Sequence, residues 1–425
     1  MKTNLKKIIT VVGLCSSWLV ASSIASDIPD TNLFVGTEFT YWVKANIDKG
    51  DKVRFKLLKP RKGMRIHAKS GRLTWTPTSN QVSKGFDTTV KLMVDGEEED
   101  RQTLHFIVKE KPSSSEKNGI FVELAQDAKF RGDGTASNPF SHLKTACMEA
   151  TAKDKHRIYV RGGYYRHLKT SSNISECVGT KKSPIVIEPW GNEQVTIAFN
   201  DRAGVSIRSS EHTVVQGFEV VGVNQKVGYE DAIANWWKDT GKYQGTGIFI
   251  SQSAKYITVQ KNIVHDTSAS GIKAVKATSV KIKNNIVYNC AWWTIQGTTG
   301  IGITLAIGEK SDKPKVAYNQ MVGNLIFNNE SRIYSRVWKK GEAFLRVDEG
   351  EAILVQEENV GEKSTYKGRY LIKDNIILYN GKTAVVNKAS HVDIVKNSFY
   401  MNGTTAKDKE GYYASGIRIN KIVKM

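Results

Sequence analysis

The chain has 425 residues with 62 Lys and Arg against 42 Asp and Glu, a formal net charge of +20 and a pI near 9.5. That balance excludes an acidic solvating chain. It points to polyanionic partners, acidic polysaccharide or a charged cell surface, with nucleic acid as the generic alternative. The four cysteines have no Cys-x-x-Cys or His-rich spacing, which argues against a cysteine-based metal centre.

The first 26 residues read as a targeting segment. Lys2, Lys6 and Lys7 form a basic start, Ile8 to Val20 an apolar run, and Ala21 to Ser26 a small-residue cleavage region. The run is too short and too interrupted for a membrane span, and no second apolar stretch of that length follows. A soluble, exported monomer, secreted or periplasmic, is expected, with no nucleic acid partner. Export permits disulfides: Cys147 and Cys177 are a candidate pair whose connectivity stays open, and Cys290 reads as a buried free thiol.

Residues 27–110 read as a small β-domain. Its expected strands are Phe39–Ala45, Val53–Leu58, Arg72–Thr76, Thr88–Val94 and Thr103–Val108, separated by Gly, Pro and charged turns. From Lys44 to Arg72 there are eleven Lys and Arg against two Asp. Those charges suit a polyanion-binding face or a solvated strand surface. Gly71-Arg-Leu-Thr-Trp-Thr-Pro-Thr78, with Asp95-Gly96 after it, resembles bacterial cadherin-like or immunoglobulin-like modules. Their calcium ligands are not evident in this segment.

A polar linker, residues 111–118, leads to Gly132-Asp-Gly-Thr135, Pro139-Phe140 and an expected helix from Leu143 to Ala152. The strand Arg157-Ile-Tyr-Val-Arg-Gly-Gly-Tyr-Tyr-Arg166 follows. This order resembles the entry to a right-handed parallel β-helix of the pectin-lyase-like superfamily, and the resemblance spans residues 119–425. It implies an all-β chain: a solenoid closed at its N-terminal end by the helix, preceded by a small β-sandwich.

A recurring phrase supports stacked coils. It reads Asn262-Ile-Val-His-Asp266, Asn285-Ile-Val-Tyr-Asn289, Asn324-Leu-Ile-Phe-Asn328, Asn375-Ile-Ile-Leu-Tyr-Asn380 and Asn397-Ser-Phe-Tyr-Met-Asn402. Its starts are 23, 39, 51 and 22 residues apart. Short intervals match one coil and long ones coils with insertions. Asn at one corner of each coil can bond the next through its amide, about 4.8 Å away. That ladder, rather than catalysis, is the expected role of the opening Asn positions. The same caution against a catalytic role extends to His265 and Asp266, which occupy the recurring slot.

In this superfamily, uronate-degrading members act by β-elimination. A Lys or Arg removes the proton beside the sugar carboxylate, while calcium or a second cation neutralises that carboxylate. A base of this kind needs a depressed pKa. Lys273 is the candidate base, with His265 as a nearby acid or base. Insertions mark the expected cleft. Trp236, Trp237, Trp292 and Trp293 serve there as sugar-stacking rings or as loop anchors. Arg332 and Arg336 are candidates for gripping carboxylates in fork geometry. Glu230 and Asp231 are the carboxylates named for a cation, although a compact Asp cluster that would hold calcium is missing. Glu357 and Glu358 are the candidate acids of a hydrolase. The leading expectation is a lyase on an acidic glycan. A non-catalytic glycan-binding or adhesion protein and a glycoside hydrolase are the rivals.

Overall fold

A computed structural model describes residues 23–24, 31–36, 39–43, 45–46, 52–110, 119–125, 129–166, 172–191, 193–235, 237–238, 240–251, 253–294, 299–333, 335–339, 342–346, 349–359, 362–403 and 417–419. The chain divides into two compact units, residues 1–109 and 110–425. Most of the expected targeting segment lies outside the described residues. Ser23–Ile24, which lies within it, pairs antiparallel with Ala45–Asn46.

The first unit holds a four-stranded sheet in the order Thr31–Phe34, Glu97–Lys109, Ser83–Val94, Val53–Leu58. A three-stranded sheet, Phe39–Trp42, Arg72–Trp75, Arg65–Ile66, accompanies it. Asp95 and Gly96, with φ of 50° and 103°, turn the chain between the two longest strands. Alternating apolar residues fill its core. Trp75 meets Phe86 and Phe106 edge-on at 5.1 and 5.8 Å, and Leu33, Phe39 and Leu73 are buried around them.

The second unit is an all-β solenoid, a parallel β-helix. Among the described residues, three parallel sheets of nine, eight and eight strands run along it, and each strand pairs with its counterpart in the next coil. One coil comprises Thr258–Gln260, Ile263–His265 and Ile272–Val275. Its inward residues Val259, Val264, Ile272 and Ala274 stack in register on Ile282, Val287, Ile301 and Ile303. All eight are essentially buried, which is why Val and Ile recur at these positions. An α-helix, Leu143–Ala152, turns Leu143, Ala146, Cys147 and Ala150 inward and packs on the first strands. It covers sheet edges that would otherwise be open. Cys147 and Cys177 are buried free thiols here, and so is Cys290. Burial pushes the Cys147 thiol well above its ordinary range, and the neighbouring Cys177 thiol adds to the rise.

The opening asparagines form a continuous ladder. Nδ2 of Asn262, Asn285, Asn324 and Asn375 each donates to Oδ1 of the next rung, at 3.1, 3.0, 2.9 and 2.8 Å, ending on Asn397. The closing position behaves differently. Asp266, Asn289 and Asn328, which close the first three phrases, and Tyr379 and Met401, one residue before the close of the last two, are all left-handed, with φ between 44° and 55°. This position is therefore a bend, while Asn380 and Asn402, which close the last two phrases, are rungs. A second ladder runs one residue later, from Asn329 through Asn380 to Asn402. The Cys290 amide donates to Asn329 below it. Asn and Asp fit the bend because they tolerate this backbone.

Candidate functional site

The third sheet carries a trough on its outer face. Its strands Ala203–Arg208, Thr246–Ser251, Ile272–Val275, Thr299–Thr304 and Glu351–Gln356 lie side by side. Side chains alternate across a strand, so the residues next to each inward Ile point outward. One outward column runs Ser206, Phe249, Lys273, Gly302, Leu354. Beside it lies a cavity of about 400 Å³ lined by Arg208, Phe249, Ser251, Val275, Lys276 and Glu362, among others. A second cavity, of about 350 Å³, shares Arg208 and continues over Asn173 and Ser175. The hollow therefore crosses several coils and runs along the solenoid axis.

Lys273 stands in that column beside Phe249, partly exposed, between buried Ile272 and Ala274. Gly302 on the next strand adds no side chain next to it. Burial lowers the Lys273 ammonium below the ordinary lysine range, against the attraction of Glu349 and Glu351. Glu351 is itself buried against Lys382 at 3.0 Å, with its Oε2 left without a hydrogen bond. Arg208 donates to Ser206 Oγ at 3.1 Å. Ser206 lies two strands from Lys273 in the same column, roughly 10 Å at the usual strand spacing. Lys276, also on the trough wall, pairs with Glu362 at 2.7 Å. Sequence reasoning missed Arg208, Phe249 and the Glu351–Lys382 pair. Arg208, Phe249 and Glu351 lie in ordinary strands and Lys382 in the bend before Val385–Lys388, and only the register between coils assembles them.

His265 is held between two carboxylates. Its Nδ1 lies 3.1 Å from Asp266 Oδ2 and its Nε2 3.3 Å from Glu219 Oε1. A ring facing a carboxylate on both sides donates from both nitrogens, which makes it an imidazolium. Burial opposes the charge, but the bonds from Asp266 and Glu219 prevail and push its pKa up to about 9. The ring also stacks on Tyr288 at 4.7 Å, and Tyr288 stacks on Phe327 at 4.9 Å. His265 is a clamp between coils of the second sheet.

The insertions place the remaining candidates. Trp292 and Trp293 are 9% and 4% exposed and pack with Val227, Ala232, Tyr243 and Ile333. The Trp293 indole donates to the Asn224 carbonyl at 2.7 Å, and the Arg332 guanidinium covers the Trp292 ring at 3.2 Å. These two rings anchor loops and offer no open face to a sugar. Arg332 is occupied as well, since it also bonds Glu330 at 2.7 Å. Trp237, by contrast, is 61% exposed, its indole donating to Ala234 O at 3.2 Å. Trp236 lies outside the described residues, and Arg336 lies on the strand Ser335–Lys339, opposite Leu345.

The expected cation ligands do not fit a cation. Asp231 bonds the Lys242 ammonium at 2.6 Å with one oxygen and takes Tyr243 and Asn235, both at 2.9 Å, with the other. Glu230 is exposed beside it. No group of three or more His, Cys, Asp or Glu suited to a metal occurs among the described residues. Glu357 and Glu358 do not form a facing pair: Glu357 accepts from Ser390 N and Oγ at 3.0 Å, and Glu358 sits 3.5 Å from Lys363.

No curated protein matches the chain. Among solved structures, the A-module of a mannuronan C-5 epimerase from Azotobacter vinelandii is similar at 15% identity, covering 66% of this chain and 82% of its own, with a TM-score of 0.31. A family 28 exopolygalacturonase from Yersinia enterocolitica is similar at 10% identity, covering 91% of this chain and 96% of its own, with a TM-score of 0.20. Likenesses this distant say nothing about activity. Residues 167–343 match the family described as right handed beta helix region, in keeping with the three-sheet solenoid.

Proposed function

We propose that the chain is an exported carbohydrate-active protein, a lyase that cleaves an acidic, uronate-containing glycan by β-elimination in the trough of the third sheet. The observation that carries this reading is Lys273, a lysine whose pKa is lowered by burial and which lies in register with Phe249, a residue that lines the hollow. A lysine of ordinary pKa is almost wholly protonated at neutral pH and is a poor base, and lowering its pKa brings the free amine within reach. In the reaction, the Lys273 amine takes the C5 proton of a uronate. The C–H electrons form the C4–C5 double bond, and the C4–O bond breaks, its oxygen taking a proton from solvent. Arg208 supplies positive charge in the trough to hold a sugar carboxylate. A hollow that crosses coils suits an extended polymer better than a small molecule, and the net charge of +20 favours an anionic one.

Incubating the protein with pectate, alginate and glycosaminoglycans, with and without chelator, tests the reading through the ultraviolet absorbance of unsaturated uronate. Product from one of them supports it. Reducing ends without unsaturation would replace the lyase with a hydrolase, and binding without any product would replace it with a glycan-binding protein.

A further inference from the structure

The first unit holds a concentration of charge that the trough does not use. Between residues 52 and 72 there are nine Lys and Arg and no Asp or Glu. Arg54 and Lys56 project from Val53–Leu58, the edge strand of the four-stranded sheet, on the side opposite buried Phe55. Lys59, Arg61 and Lys62 occupy the following turn, and Arg65 lies on Arg65–Ile66, the edge strand of the three-stranded sheet. The Phe55 amide donates to Ala68 O at 2.8 Å, which ties the first of these edges to the chain that returns from the second. All six cations are exposed, and none forms an ion pair with a carboxylate among the described residues.

The neighbouring strands show the contrast. Lys56 is in register with Lys91, and there the charge is partly offset: Glu98 bonds both Lys91 and Arg101. Lysines on an edge strand discourage edge-to-edge pairing, which accounts for a cation or two on each edge. It does not account for three more in a turn that has no edge to protect. Like charges kept together without intervening acids cost stability through mutual repulsion, and an anionic partner relieves that cost. The rim also lacks the means to read bases. Its rings Phe55, Trp75 and Phe86 are buried, with Arg61 held over Phe86 at 4.5 Å. Stacking on single strands needs exposed rings. The helical element described at this rim, the 3-10 turn Ser79–Gln81 whose Gln81 side chain donates to Lys62 O at 3.0 Å, is too short to enter a groove.

We infer that this rim is a second binding surface, for an acidic polysaccharide, that holds the polymer by charge independently of Lys273. It shares the acidic-glycan partner of the reading above and none of its catalytic residues. Binding of the full chain to immobilised polygalacturonate, followed against ionic strength, tests it. The quadruple variant Arg54→Gln, Lys56→Gln, Lys59→Gln, Arg65→Gln should bind on the order of tenfold more weakly at moderate salt, with a flatter salt dependence. A charge-matched control, Lys310→Gln, Lys313→Gln, Lys315→Gln, Lys367→Gln, replaces exposed lysines of the second unit and should bind as the parent does. Lys273→Ala should bind as the parent does too, so the rim reading survives even if no substrate is ever cleaved. Bound polygalacturonate should also protect Lys56, Lys59 and Lys62 of the unaltered protein from acetylation, which covers the case of a rim variant that fails to fold. Equal binding by the rim variant, equal loss in the control, or absence of that protection would overturn the inference. Tighter binding to duplex DNA or to anionic vesicles than to polygalacturonate would do the same.

Discussion

Replacing the inner rung Asn285 by Ala should be among the most damaging single changes in the solenoid. Asn285 is 1% exposed. Its Nδ2 donates to Asn324 Oδ1 and Val259 O, both at 3.0 Å, and its Oδ1 accepts from Asn262 N at 3.0 Å and Asn262 Nδ2 at 3.1 Å. After truncation Asn262 Nδ2 keeps Val215 O, and Asn324 Oδ1 keeps the Asn285 amide. The Asn262 N–H alone is left buried with no acceptor, which costs about 1–3 kcal/mol, and the other lost bonds add about 1–2 kcal/mol in total. A loss of about 2–5 kcal/mol is a large part of the roughly 5–15 kcal/mol typical of a folded unit. Asn397→Ala removes the last, partly exposed rung, where water can replace the acceptor, and should cost about 1 kcal/mol. Asn285→Asp keeps the shape but points an oxygen at two acceptors. It should be worse than Ala at neutral pH and recover in acid, as the carboxyl gains a proton to donate. Urea unfolding followed by circular dichroism reads all three. If Asn285→Ala lies within 1 kcal/mol of the parent, or no further from it than Asn397→Ala, the ladder is not the element that fastens the coils.

Lys273→Met should stabilise the protein at neutral pH. The folded pKa of Lys273 is lowered, so the unfolded chain binds more protons and parent stability rises with pH. In thermal melts the advantage of the variant should shrink as pH approaches the ordinary lysine range; an advantage that grows with pH would contradict the shift. His265 has the opposite sign. Its pKa is raised to about 9, so the clamp contributes fully below the unfolded value of about 6.5 and fades as pH rises through about 9. His265→Phe should therefore be destabilising at pH near 6, and its deficit should narrow through that window. Trp293→Ala should cost about 3–5 kcal/mol through loss of a buried ring, while Trp237→Ala should leave the melting temperature unchanged and weaken glycan binding.

The solenoid was legible because its determinants are local and repeated. Val and Ile at inward positions and an Asn at one corner can both be read along the chain. The helix Leu143–Ala152 was legible from its apolar spacing and its place before the first coil. The irregular intervals also pointed correctly to insertions, one of which carries the hairpin Ser335–Lys339 and Glu342–Arg346. The closing residues divide in a way the phrase does not show: Asp266, Asn289 and Asn328 are left-handed bends while Asn380 and Asn402 are rungs, since Asn and Asp serve a ladder and a left-handed bend equally well. Side-chain environment was the harder part. Nothing in Ala291-Trp292-Trp293 distinguishes a stacking platform from an anchor until Tyr243 and Val227 close over it. In the same way, His265 looks like a base until Glu219, 46 residues away in sequence, arrives on its far side. Phe249, Lys273 and Gly302 share a column only through the register of three coils.

The most direct measurement of the central claim is the turnover of Lys273→Ala on whichever acidic glycan yields unsaturated product, with circular dichroism to confirm an intact solenoid. General-base catalysis is worth about 10²–10⁴ in rate, so the variant should lose at least about a hundredfold in kcat while its affinity for the glycan persists. The parent rate should rise with pH to a midpoint below the ordinary lysine value of about 10.4. A folded Lys273→Ala protein that turns over within about threefold of the parent would contradict Lys273 as the base, because losing a general base costs far more than that.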